Sequence, residues 1–195
     1  VGTCVEVGIH YDPMLAKVIA SGPTRAIANR RLQAALERLV CLGVRTNRAY
    51  LQRVLAHSEF AAGALHTRFL DVHQEELAAV EDVSADAVAA AVVHDWAHTR
   101  LKDRPMPGLR ANWRNNRWRE PQRTYRLGQD TVEVSWKDQG DRLRIDGRDV
   151  RVVHPGPPYH LEINGTTRRA YVAASGARIW VHLGQQDVEL ERQPD

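Results

Sequence analysis

The fold of this chain is decided by the stretch RLRIDGRDVRVV, residues 142–153. Apolar and polar residues alternate on both sides of Asp146-Gly147, as they do along strands that bury one face. Asp-Gly between two such runs is a strong signal for a two-residue β-hairpin, because both positions of that turn need a positive φ. Asn164-Gly165 stands between two further alternating runs and predicts a second hairpin.

Similar runs extend outward from this hairpin in both directions. Eight short strands are predicted: Arg123–Leu127, Thr131–Trp136, Arg142–Ile145, Val150–Val153, Tyr159–Ile163, Thr167–Ala173, Arg178–Val181 and Val188–Leu190. Evenly spaced strands joined by hairpin turns predict an up-and-down antiparallel barrel. The interior of such a barrel must be filled by side chains or hold a ligand.

A helix predicted over residues 84–99 is the candidate for that filler. Val88, Val92 and Trp96 share one face at four-residue spacing, and further alanines and valines cover much of the remaining circumference. A helix that is apolar nearly all round is expected to be surrounded by other structure. We therefore expect this helix to lie in the barrel lumen.

The first 70-odd residues predict a different, α+β unit. Met14–Ala20 is a nearly continuous apolar run and predicts a buried strand. A helix is predicted over Arg25–Leu42, capped by Thr24 or Ser21 and ended by Gly43. Asn47 is expected to cap a second helix, Arg48–His57. The β part is small for an independent sheet, and we expect preceding sequence of a longer protein to complete it.

Several motifs in this unit resemble the end of the biotin carboxylase fold. They include YDPMLAK at 11–17, GPTR at 22–25, GVRTN at 43–47, FAAG at 60–63 and TRFL at 67–70. The residues that carry the family motif are Tyr11, Asp12, Pro13, Met14, Lys17, Gly43, Thr46 and Asn47. The resemblance implies a C-terminal lobe that completes an ATP-grasp enzyme and contributes to its dimer surface. In that family the phosphate loop, the metal-binding carboxylates and the catalytic Arg lie upstream, so no catalytic residue is expected here.

The same residues also have a purely structural interpretation. Asp12 precedes a proline, which holds it extended, and its carboxylate can accept bonds from nearby backbone amides. Lys17 stands among apolar neighbours and needs a carboxylate partner or a route to water. We therefore expect this motif to form a fixed turn at Asp12, with the Lys17 ammonium group either paired or in contact with water.

The second part of the chain resembles the linking domain of acyl-CoA carboxylases of the methylcrotonyl and propionyl type. That resemblance implies a long helix inside an eight-stranded antiparallel barrel, which joins the biotin carboxylase subunit to the carboxyltransferase (beta) subunit. We predict residues 1–75 as the incomplete biotin carboxylase lobe and 76–195 as the linking domain, with an interaction loop at 101–122. The implied cofactors are biotin, ATP, Mg or Mn, and bicarbonate for the parent protein, and none for this piece.

The predicted interaction loop is long, aperiodic and basic. Residues 101–126 hold eight basic and two acidic side chains, a net charge of +6 (8 − 2), in a chain whose net charge is +3. Trp and Arg are favoured at protein interfaces, and the candidates for partner binding are Trp113, Arg114, Arg117 and Trp118. Bases interleaved with aromatics also occur in single-strand nucleic-acid binders, and both Trp residues could instead pack against the barrel.

Composition excludes several other classes of protein. Two cysteines form no disulfide framework and match no zinc pattern, and no apolar run approaches the ~20 residues of a membrane span. His94 and His98 have a spacing that could hold a metal, but without a third ligand we expect no metal site. We expect a cytoplasmic protein.

These features predict a non-catalytic C-terminal piece of a biotin carboxylase subunit that takes part in subunit assembly. Its expected partners are the carboxyltransferase subunit, the biotin-carrier domain of the same parent chain and other alpha subunits, with no membrane and no nucleic acid. Two alternatives remain open at this point: a barrel that binds a small ligand, and a single-stranded nucleic-acid binder. An empty lumen would favour the first alternative.

Overall fold

The computed structural model describes residue 10 and residues 14–79, 85–102 and 120–194. The chain divides into two compact units, Val1–Glu81 and Asp82–Asp195. Each unit has a hydrophobic core of its own.

The first unit is helical over its described residues. It contains α1 (Arg25–Arg38), α2 (Arg48–Ala56), α3 (Ser58–Ala62), α4 (Phe69–Val72) and α5 (Gln74–Ala78). Thr24 caps α1, since its side chain accepts a hydrogen bond from the Ile27 amide at 3.3 Å. Val54, Phe69 and Leu77 form a small core, with two partly buried aromatic side chains packed against it.

Two predictions for this unit are wrong. Met14–Ala20 is not a buried strand: Met14 is 61% and Ile19 81% exposed, and no strand lies beside this segment among the described residues of the unit. A strand needs a neighbour to bond its backbone groups, and an apolar run alone cannot supply one. Helix α1 also ends earlier than predicted, at Arg38, because Leu39 turns to an extended ψ of 114°. Gly43 has a φ of +89° but lies beyond that end.

The second unit is a closed antiparallel barrel, as predicted. Its strands are β1 (Gln122–Leu127), β2 (Asp130–Asp138), β3 (Arg142–Ile145), β4 (Arg148–His154), β5 (Tyr159–Ile163), β6 (Thr166–Ser175), β7 (Arg178–Leu183) and β8 (Gln186–Arg192). Each strand pairs with the next in sequence, and β8 returns to pair with β1. The eight predicted runs all fall within these strands.

The two hairpin signals behave as their chemistry requires. Asp146 and Gly147 have φ values of 45° and 81°, and Asn164 and Gly165 have 52° and 75°. Both central residues of each turn are thus left-handed, as a two-residue turn matched to the strand twist demands. These turns fix the registers of β3 with β4 and of β5 with β6.

Helix α6 (Ala85–Lys102) fills the barrel lumen. All eleven consecutive residues from Ala87 to Ala97 are between 0% and 7% exposed. Eleven residues cover every direction around a helix, because successive side chains are offset by about 100°. The apolar side chains of this stretch form one core with the inward-facing residues of the strands. The predicted position of the helix is confirmed.

Candidate functional site

The residues of the predicted biotin carboxylase motif are only partly within the described chain. Tyr11, Asp12 and Pro13 lie outside the described residues, whereas Lys17 is exposed, so its ammonium group reaches water. Asn47 occupies the N-cap position of α2 as expected, but its side chain makes no capping bond. The side chain of Thr46 lies there instead, with its Oγ1 3.5 Å from the Arg48 amide.

Arg48 is a structural residue of this unit that the sequence does not reveal. It is 2% exposed, and its guanidinium donates to the Leu36 carbonyl at 3.2 Å and to Gln52 at 3.3 Å. The Leu36 carbonyl lies in the last turn of α1, where it also accepts a hydrogen bond from the Leu39 amide at 3.3 Å. Arg48 therefore ties the end of α1 to the start of α2. One arginine among many in this chain gives no signal that it is buried.

The predicted partner-binding residues Trp113, Arg114, Arg117 and Trp118 all lie outside the described residues. The structure describes the two flanks of their loop. Helix α6 runs to Lys102 and β1 begins at Gln122, so the predicted helix end at residue 99 is too early and the predicted loop 101–122 is too long at both ends.

A buried carboxylate connects these two flanks. Asp95 of α6 accepts hydrogen bonds from the Arg192 guanidinium at 3.0 Å, from the Arg123 guanidinium at 3.2 Å and from the Tyr125 hydroxyl at 2.9 Å. Its side chain is 6% exposed. Because Arg123 and Tyr125 belong to β1, this network joins the helix before the loop to the strand after it.

The same network closes the seam of the barrel. Strands β1 and β8 share only two residue pairs, Tyr125 with Arg192 and Arg126 with Glu191, whereas β1 and β2 share six. Asp95 bonds side chains from both seam strands. A charge-assisted network therefore stabilises closure at the ladder with the fewest residue pairs.

A second carboxylate holds the other end of the lumen helix. Asp86, in the first turn of α6, lies 3.5 Å from the guanidinium groups of both Arg148 and Arg168. These arginine side chains are each 47% exposed, so solvent screens the two ion pairs. The two anchors, nine residues or about 14 Å apart along the helix, define its direction in the lumen.

His94 and His98 lie near the Asp95 anchor and each has a protein partner. His94 Nδ1 is 2.9 Å from the Tyr159 hydroxyl, and His98 Nδ1 donates to the His94 carbonyl at 3.1 Å. Burial lowers the pKa of His94 to about 4, with a further contribution from His98. Burial also raises the pKa of Tyr159 to about 12. His94 and Tyr159 are therefore both uncharged at neutral pH, and their hydrogen bond joins α6 to β5.

This histidine makes the barrel sensitive to acid. The folded pKa of His94 is about 4 and the unfolded value is about 6.5, so the unfolded chain binds more protons between these pH values. The free energy of unfolding is therefore not reduced by this histidine above about pH 6.5, and it falls as the pH drops from there towards 4. Between about pH 7.5 and 4.5, His94 alone should remove ~2–3 kcal/mol from the free energy of unfolding.

Urea unfolding of the wild type and of His94→Gln at both pH values measures this contribution. The variant should lose ~2–3 kcal/mol less than the wild type on acidification. Exposed His66 offers a matched control, and His66→Gln should keep the wild-type pH dependence. An unchanged pH dependence in His94→Gln would show that this histidine is not held neutral.

Residues 2–72 match the family described as the biotin carboxylase C-terminal domain. The resemblance that the motifs of this segment indicate is confirmed by this match. The match spans the described helices α1 to α4 of the first unit.

The chain is also similar to several carboxylases, two of which are alpha subunits. It is 29% identical over 145 residues to methylcrotonoyl-CoA carboxylase subunit alpha of Arabidopsis thaliana, covering 68% of this chain and 19% of that protein. It is 27% identical over 162 residues to the propionyl-CoA carboxylase alpha chain of Sus scrofa, covering 83% and 21%. Over 66 residues it is 42% identical to pyruvate carboxylase of Homo sapiens, covering 34% and 6%.

The longer similarities include both units, because 145 and 162 residues exceed the 114 residues of Asp82–Asp195. The chain spans about a fifth or less of the length of these relatives. Their names place them in mitochondria. None of the helices in the described parts is long and apolar enough to cross a lipid bilayer.

Proposed function

We propose that this chain is a non-catalytic C-terminal part of the biotin carboxylase subunit of an acyl-CoA carboxylase and mediates subunit assembly. In this proposal residues 1–75 complete the biotin carboxylase domain and residues 76–195 form the linking domain. The parent subunit would carboxylate biotin in the cytoplasm with ATP, bicarbonate and Mg or Mn. Its partners would be the carboxyltransferase subunit, the biotin-carrier domain of the same chain and other alpha subunits.

The observation that carries this proposal is the filled lumen of the barrel. A barrel that carries a small ligand needs an interior cavity, and residues 87–97 of α6 occupy the interior here. What a filled barrel offers to a partner is its outer surface and its loops. The small-ligand alternative loses its physical basis, and a scaffold function is favoured.

The loop 101–122 is the proposed contact with the carboxyltransferase subunit. Its flanks are joined by the ion pair between Asp95 and Arg123, at 3.2 Å. The Pro121 carbonyl accepts a hydrogen bond from the Trp136 amide at 3.0 Å, which fixes the far end of the loop to β2. A loop that is held at both ends loses less conformational entropy on binding than a free tail would.

Replacing two candidate contacts in the full-length subunit tests the proposal. Trp113→Ala combined with Arg114→Ala should weaken association with the carboxyltransferase subunit by at least ~30-fold, if this pair behaves as an interface hot spot of ~2 kcal/mol or more. Biotin carboxylation by the altered subunit should stay at the wild-type level. Co-purification and a titration of the two subunits give the affinity, and a biotin-dependent ATP assay gives the activity.

A matched control uses the same residue types on the outer face of the barrel. Trp180→Ala combined with Arg178→Ala removes a partly exposed Trp and an exposed Arg from β7. This control should leave association unchanged. Undiminished affinity of the loop variant, together with a lower melting temperature of the barrel, would show that the two tryptophans are packing residues. The nucleic-acid alternative would be favoured if the wild type binds single-stranded DNA and the loop variant loses this binding while it keeps its affinity for the carboxyltransferase subunit.

A further inference from the structure

A cluster of histidines and carboxylates lies in the first unit, where four short helices meet. His57 stands between α2 and α3, and His73 stands between α4 and α5. Glu59 belongs to the first turn of α3 and Glu76 to the first turn of α5. The sequence separates these residues by up to 19 positions (76 − 57), and the fold of the helices brings them together.

The potential ligand atoms of His57, His73 and Glu76 lie close together, and Glu59 contacts His73. One nitrogen of each histidine and one carboxylate oxygen of Glu76 all lie within 4.8 Å of one another. His57 Nε2 is 3.8 Å from the nearer Glu76 oxygen, and His73 Nε2 is 3.3 Å from an oxygen of Glu59. The histidine side chains are 9% and 18% exposed, and those of Glu76 and Glu59 are 72% and 44% exposed. The two imidazole rings are thus largely shielded from solvent. The two carboxylates can approach them from the solvent side.

We propose that His57, His73 and Glu76, with Glu59 as a fourth ligand, bind one divalent transition-metal ion of the Zn²⁺ class. Two imidazoles with one or two carboxylates are a ligand set that Zn²⁺ and its neighbours prefer, whereas Mg²⁺ and Ca²⁺ prefer oxygen ligands alone. The site is separate from the Mg or Mn of the proposed parent activity. It would be structural, because its side chains come from two helix junctions, α2 with α3 and α4 with α5, that are otherwise joined by a small core.

The distances fit a site that closes around the ion. Ligands ~2.0–2.1 Å from a tetrahedral Zn²⁺ are about 3.3 Å from one another, and the His73–Glu59 separation already has that value. The other separations must shorten. Glu76 can supply most of this movement, since its side chain is long, flexible and largely exposed.

The His57 ring predicts a spectroscopic sign of binding. Its Nδ1 lies 3.3 Å from the Glu59 amide nitrogen and accepts that N–H. A neutral imidazole that accepts at Nδ1 carries its proton on Nε2. A metal on Nε2 would shift the proton to Nδ1 and break this bond, so the Glu59 amide resonance should move on addition of Zn²⁺.

The short helices give the ion a structural purpose. Helices α3, α4 and α5 have five, four and five residues, and helices of this length are unstable without tertiary contacts. His57 and His73 already pack on Phe69, with ring centroids 5.1 and 5.0 Å from it. An ion bound to both histidines would join the two junctions on this core, in place of the bond from the Glu59 amide to His57 that it breaks.

Calorimetric titration of the untagged chain with ZnCl₂ tests the site. One Zn²⁺ should bind per chain with a dissociation constant below roughly 0.1 mM, and a large excess of MgCl₂ or CaCl₂ should not displace it. His73→Gln and Glu76→Gln should each weaken binding by at least ~10-fold, the smallest loss that even outer-shell changes usually cause. Glu76→Gln keeps the test valid if the histidine variant does not fold, because Glu76 is 72% exposed.

Two neighbouring residues serve as matched controls. Glu75→Gln changes the adjacent exposed carboxylate of α5, and His66→Gln changes an exposed histidine of the same unit. Both should bind Zn²⁺ like the wild type. The proposal is overturned if Zn²⁺ does not bind below roughly 0.1 mM, or if Glu76→Gln binds as tightly as Glu75→Gln. Wild-type affinity in both ligand variants would place any bound ion elsewhere on the chain.

Discussion

Asp95→Asn is expected to lower the free energy of unfolding of the barrel unit by ~3–5 kcal/mol, the usual result of removing one partner of a buried ion pair. The substitution keeps the shape of the side chain and removes its charge. The new amide oxygen could still accept a bond from Tyr125, but two guanidinium groups would lose their carboxylate. Urea unfolding followed by circular dichroism gives the change directly.

Three observations support an effect of this size. Asp95 is 6% exposed and accepts bonds from two arginines and one tyrosine. The side-chain hydrogen bond to Asp95 raises the pKa of Arg192, and burial together with the Asp95 charge raises the pKa of Tyr125. The network also joins the seam of the barrel, so its loss should open the structure where the strand ladder has only two residue pairs.

Asp86→Asn is the matched control on the same helix. Asp86 also faces two arginines, but at 3.5 Å, and their side chains are half exposed. Ion pairs of this kind contribute ~0–1 kcal/mol. A loss from Asp86→Asn as large as that from Asp95→Asn would show that helix anchoring in general, and not the buried network, determines stability.

The strands of the barrel could be predicted because their signals are local. Asp146-Gly147 and Asn164-Gly165 each specify a turn whose geometry depends on two residues, and alternation specifies which side chains face inward. The lumen position of α6 follows from one further local property, an apolar circumference. A barrel and a filler helix then leave little choice of arrangement.

The parts that could not be predicted depend on distant partners. Asp95 and Arg192 are 97 residues apart, and an isolated Asp in an apolar helix gives no indication of which arginine it meets. Met14–Ala20 has the hydrophobicity of a strand, which is a local property, whereas strand pairing depends on other residues. The cluster of His57 and His73 follows no known ligand spacing, because the fold of four short helices creates it.

Trp96→Asp is expected to have the largest effect on the barrel, a loss of more than ~5 kcal/mol that leaves the second unit largely unfolded. Trp96 is 4% exposed among the lumen side chains. Its indole nitrogen donates to the Asp138 carboxylate at 2.8 Å. The substitution would remove a large buried ring and place a second carboxylate beside Asp138, with little solvent to screen the new charge.

Two further substitutions separate the causes of this loss. Trp96→Phe retains most of the apolar ring and removes the bond to Asp138, so it should cost only ~1–2 kcal/mol. His98→Asp introduces the same charge two residues further along α6, on an exposed side chain, and should cost less than ~1 kcal/mol. Melting temperatures of the three variants give the order. If Trp96→Asp and His98→Asp have the same melting temperature, Trp96 is not enclosed by the barrel. The helix then does not fill the lumen, and the scaffold function that depends on it is wrong.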